Sequence, residues 1–107
     1  MTEVSATIRM RLCMEDILRN RLPLFDGVQA LLKLADEVPQ LGADRDLRNL
    51  RELLGQVDHL AIGAAREHWE REALHRQDRE LLELERKLED SVFYACRRLT
   101  QSLDALG

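Results

Sequence analysis

Proline, glycine, cysteine and aromatic residues are all scarce in this 107-residue chain, which has 2 Pro, 5 Gly, 2 Cys, 1 Trp, 1 Tyr and 2 Phe. Each shortage excludes something. Four scattered aromatics (Phe25, Trp69, Phe93, Tyr94) make no base-stacking platform, and a formal charge of -4 gives no general attraction to phosphate, so no nucleic-acid partner is expected. Without a glycine cluster there is no loop to cradle a nucleotide, and Ser5, Ser91 and Ser102 lack the glycine-rich turn that exposes a catalytic serine. No catalytic residue and no cofactor is therefore expected. Apolar runs fall far short of the ~20 residues that span a bilayer, so no membrane association is expected either. The first twenty residues interleave Arg, Met, Glu and Asp with aliphatics, unlike a signal or transit peptide, which makes the cytoplasm the expected location.

The two cysteines, Cys13 and Cys96, lie far apart in sequence, outside any CxxC pair and among aliphatics at helical spacing. That is the placement of small core residues, with a disulfide or a reactive thiol as the alternative. The length suits a single domain over residues 1–107, large enough to build a core without a staple.

What the chain does have is apolar residues at three- and four-residue spacing, with no sustained alternation of the strand type. The pattern predicts four helices. The first runs from about Ser5 to Leu22, with Ile8, Met10, Leu12, Cys13, Met14, Ile17 and Leu18, and stops at Pro23. The second, Leu24 to Val38, places Leu24, Val28, Leu31, Leu32, Ala35 and Val38 on one stripe flanked by Phe25 and Leu34, and is stopped by Pro39 and Gly42. The third opens at Asp44 or Asp46 and carries Leu47, Leu50, Leu53, Leu54, Val57, Leu60, Ala61, Ala64 and His68 on its inner face. A turn between Trp69 and Asp78 follows, because Glu72, His75 and Arg79 interrupt that stripe, and Asp78 caps the last helix. Leu81, Leu84, Leu88, Val92, Ala95, Cys96, Leu99, Leu103 and Leu106 mark its buried side. The expected fold is all-α, an antiparallel bundle of about four helices, the third and fourth longest.

Charge is carried by 14 Arg and 2 Lys against 20 Asp and Glu. Glu67 with Arg71, Glu72 with Arg76 and Glu83 with Lys87 fall at the spacing of intrahelical ion pairs, so the run from Arg66 to Asp90 reads mainly as a solvated face. His68, Glu72 and His75 include the Glu-x-x-His spacing of di-iron bundles, but a second copy and further carboxylates are missing, so no metal site is expected.

Two features of the third helix point toward function. Stepping ~100° per residue puts His59 opposite the core, and Gly63 one turn on. The run from His59 to Ala65 resembles histidine phosphotransfer domains, with Ile62 where that family usually has lysine. That resemblance implies His59 as an alternative phosphoacceptor. Independently, Ile62, Ala65, Trp69 and Ala73 form a second apolar strip about a third of a turn from the first. Ringed by Arg66, Glu67, Glu70 and Arg71, it reads as a protein-binding anchor, with Ile62, Arg66, Trp69, Glu70 and Ala73 as partner-binding residues.

Over roughly residues 22 to 95 the chain also resembles small all-helical immunity proteins of type VI secretion effectors, those paired with NAD-degrading toxins. The resemblance rests on Leu22-Pro23-Leu24-Phe25, on Leu60-Ala61-Ile62-Gly63-Ala64-Ala65-Arg66-Glu67, and on Asp78-Arg79-Glu80-Leu81-Leu82. It implies a cytoplasmic, non-catalytic antitoxin that blocks a secreted effector toxin by binding it. A homodimeric helical adaptor remains the third reading, since surplus apolar surface can also pair with a second copy.

Overall fold

The computed structural model describes residues 2–60, 66–67 and 69–106, with side chains from residue 6 onward. Four helices follow one another: α1 (Thr2–Leu18), α2 (Leu24–Ala35), α3 (Arg45–Gly55) and α4 (Arg71–Ala105), with a 3-10 turn at Pro39–Leu41. No strand occurs among the described residues, and the helices pack as a bundle.

α1 buries Ala6, Met10, Cys13, Met14 and Ile17. Ile8 and Leu12, counted among the apolar residues of that segment, stand instead on its outer face. The helix ends four residues before Leu22, and Pro23 is not what ends it. Asn20 adopts a left-handed conformation (φ 57°), the Arg21 amide donates to the Asp16 carbonyl at 2.8 Å and the Asn20 amide to that of Ile17 at 3.1 Å. This paired closure satisfies carbonyls that the helix end would leave free.

In α2 the largest buried side chain is Phe25, which the spacing places on the flank of the stripe. The helix stops at Ala35 rather than Val38. Val38 precedes a proline and is held extended (φ -122°, ψ 85°), as the proline ring requires, yet its side chain is still buried. α1 and α2 run antiparallel at close range: a Cβ on Gly27 would lie 2.6 Å from Ile17 Cγ1, and Cys13 Sγ donates to the Gly27 carbonyl at 3.6 Å. Glycine at 27 is what permits that approach. Both cysteines are free, buried thiols. Burial raises the Cys13 pKa, and Cys96 is pushed up to about 12 by burial and by Cys13 nearby. They are therefore core residues, inert as nucleophiles.

α3 begins where Asp44 caps it, its carboxylate accepting from the amides of Asp46 (2.8 Å) and Leu47 (3.1 Å). It is short, which corrects the long third helix that the spacing predicts. After Gly55 the backbone tightens into three-residue turns, with amides of Gln56, Val57, Asp58 and Leu60 donating to carbonyls three positions back. Val57 and Leu60 still reach the core, three residues apart as a tightened turn allows. Ala61, Ile62, Gly63, Ala64, Ala65 and His68 lie outside the described residues.

α4 is the longest element, 35 residues and about 50 Å, and it sets the 47 Å long dimension of the molecule. It starts at Arg71, with Glu70 at the N-cap position, so the turn expected between Trp69 and Asp78 is absent and Asp78 sits inside the helix. The break lies earlier, between α3 and Glu70. Gln77 occupies the buried position that precedes Leu81, Leu84 and Leu88 on this helix, whereas Leu106, expected on the buried stripe, is exposed. α3 and α4 run antiparallel, joined near one end by Asp46 and Arg98 and near the other by His59 and Glu80.

Candidate functional site

The N-terminal half of α4 carries few buried side chains, and the segment leading into it brings polar and aromatic groups against its flanks. His59, in the turn after α3, lies with Nε2 2.8 Å from Glu80 Oε1. On the other flank, Arg66 donates to both carboxylate oxygens of Asp78, at 3.0 and 3.5 Å. The intrahelical pairs expected from spacing, Glu67–Arg71, Glu72–Arg76 and Glu83–Lys87, do not form, and the ion pair at that spacing among the described residues is Glu15–Arg19. Most of the described residues from Arg66 to Asp90 are exposed, as a solvated face requires, while Asp78 and Glu80 tie the helix to Arg66 and His59.

Between the turn after α3 and the start of α4 lies an open groove of about 300 Å³, lined by His59, Leu60, Trp69, Ala73, Arg76, Gln77 and Glu80. Trp69 is its largest apolar component and is 42% exposed. The Trp69 amide donates to the Arg66 carbonyl at 3.2 Å, and the helix begins two residues later, with the Leu74 amide donating to Glu70. Trp69 thus stands just before a helix start rather than on the side of a long third helix, where the spacing places it.

The groove unites residues that the spacing assigned to two different ideas. His59, the alternative phosphoacceptor, and Trp69 with Ala73, the anchor strip, share one surface. Arg66 does not belong to it: its guanidinium faces Asp78 and lines a separate crevice. Glu70 is exposed and stands at the N-cap position of α4 without a side-chain bond to the helix amides. Ile62 lies outside the described residues. Missed by sequence reasoning were Arg76, Gln77 and Glu80. Gln77 had a signal, its place four residues after Ala73 and four before Leu81, but that register is visible only once both ends belong to one helix.

His59 is exposed, but in a turn, not on the outer face of a helix. Its Nε2 lies against a Glu80 carboxylate oxygen, which occupies the approach to that nitrogen. Glu80 would also repel an incoming phosphoryl group. The arrangement suits holding the turn against α4 better than phosphoryl transfer. Glu72 and His75 project from α4 as exposed residues, and His68 lies outside the described residues. Among the described residues no three potential ligands gather into a metal cluster.

At the other end of the α3–α4 interface, Asp46 is buried and accepts from Arg98 Nε at 3.2 Å, while Arg98 Nη1 donates to the Tyr94 hydroxyl at 3.3 Å and the guanidinium lies over the Tyr94 ring. These bonds, to Tyr94 first and Asp46 second, raise the Arg98 pKa further above neutrality. The cluster is structural, clamping α3 to α4 and so setting where the turn bearing His59 arrives. Comparison of the chain with known protein families, with curated proteins and with solved structures returned no match.

Proposed function

We propose that the protein is a non-catalytic binding module whose docking surface is the groove around Trp69, and that its partner is a secreted effector toxin, which it neutralises by direct binding as a cytoplasmic immunity protein. The observation that carries the reading is the exposed indole, placed just before the start of α4 and bordered by Ala73, Leu60 and the charged Arg76 and Glu80. A large aromatic with a polar rim is the arrangement that concentrates binding energy at interfaces. The immunity assignment rests on the sequence resemblance, which names the partner class. The His59–Glu80 pairing weighs against the phosphotransfer alternative.

The test asks whether the neighbouring reading frame encodes an NAD-degrading toxin and pairs the two purified proteins; a neighbour of another kind would remove the immunity reading. The parent protein is expected to bind the toxin stoichiometrically and abolish its NAD hydrolysis. Trp69→Ala is expected to weaken the complex by ~2 kcal/mol or more, about 30-fold, with an unchanged unfolding midpoint. Equal affinity of the variant would remove the anchor, and a toxin that is neither bound nor inhibited would remove the immunity reading.

A further inference from the structure

A second recess opens on the opposite flank of the same half of α4, where the start of α2 meets it. It has a volume of about 150 Å³ and is lined by Pro23, Phe25, Asp26, Arg66, Leu81 and Glu85. Its walls are mainly apolar, from Pro23, Phe25 and Leu81. Its charge is not balanced. Arg66, the cation beside it, is already held by both oxygens of Asp78, while Asp26 and Glu85 form no ion pair or hydrogen bond among the described residues.

We propose that this crevice receives a basic side chain of the partner protein, its aliphatic stem against Pro23 and Leu81 and its cationic head between the carboxylates of Asp26 and Glu85. The proposal rests on reading the N-terminal half of α4 as the docking end of the molecule, and supplies the partner's chemistry on its second flank. Lysine and arginine bury their methylenes on apolar surface while the charged end stays at the rim, which is the shape and polarity found here. A guanidinium is the better fit, because it can donate to two carboxylates in fixed directions.

The like-charge crowding supports the same conclusion. Burial raises the Glu85 pKa, and the neighbouring Asp26 and Glu89 raise it further. Burial is the larger cause, and the part of the shift that comes from Asp26 and Glu89 is what a cation placed among these carboxylates would relieve. The partner's cation would supply what Arg66, committed to Asp78, does not.

The crevice can be tested without the partner, using n-butylguanidinium as the probe and the side-chain NMR signals of Phe25, Leu81 and Glu85 as the readout. A saturable shift confined to these residues is expected. It should weaken about tenfold in Asp26→Asn and in Glu85→Gln, as loss of one charged hydrogen bond implies. It should stay unchanged in Trp69→Ala, so failure here is distinct from failure of the Trp69 anchor. Shifts that grow linearly without saturation, that persist in both carboxylate variants, or that n-butanol reproduces would overturn the proposal.

Discussion

The two halves of α4 belong to one continuous helix and are stabilised in opposite ways. From Leu88 to Leu103 it buries Leu88, Val92, Ala95, Cys96, Leu99 and Leu103, whereas from Arg71 to Lys87 the one buried residue is Gln77. In the first region α3 and α1 supply cover, with Asp46 bonded to Arg98, Cys13 beside Cys96 and Arg11 paired to Asp104 at 2.7 Å. In the second, contacts are made by His59, Arg66 and the start of α2, largely through charge. Buried aliphatics hold the bundle in the covered half, and the other half, beside the exposed Trp69 and Leu82, contributes little to that core.

The comparison breaks if the halves respond alike to truncation. Leu99→Ala, in the covered half, is expected to cost ~2–5 kcal/mol in urea unfolding, whereas Leu82→Ala, in the other, should stay within ~0.5 kcal/mol. Similar losses would mean that the exposed half is as much part of the core. A sharper version uses the α3–α4 ion pairs, one on each half. Asp46→Ala removes a buried carboxylate that also bonds Arg98, and should cost about 1–3 kcal/mol. Glu80→Gln touches a pair exposed on both sides, and its loss should stay within ~0.5 kcal/mol.

The smallest effect concerns pH. The folded protein holds the Glu85 proton above its ordinary value of 4.5, because of burial first and then Asp26 and Glu89. In that window the native state binds more protons than the unfolded chain. Its penalty is therefore absent below the ordinary value, grows as pH rises through the raised one, and is complete at neutrality. Glu85→Gln should slightly raise the thermal midpoint at pH 7 and leave it unchanged at pH 3.5. A variant that is less stable at pH 7 would contradict the crowding described around Glu85.

Much of the fold was legible because its signals are local. The α2 start after Pro23, the Asp44 cap, and the buried residues from Leu47 to Leu60 and from Leu88 to Leu103 all follow from spacing and capping chemistry. The errors cluster at one place. Carrying the α3 phase past Gly55 treated three-residue turns as α-helix, and so placed His59, Trp69 and the expected Asp78 cap on the wrong geometry. Neither proline nor glycine marked the start of α4. Its register runs backward from Leu88 through Leu84, Leu81 and Gln77, and a polar glutamine hides that continuity.

Amphipathic spacing is a property of a helix's own turns, so the sequence alone determined that the chain is helical, which residues make its aliphatic core, and that its cysteines belong inside. Where one helix yields to the next, and which distant side chains then meet, depends on contacts between segments far apart in the chain. Only the tertiary structure placed His59 against Glu80, Trp69 at the mouth of a groove, and Asp26 across a crevice from Glu85.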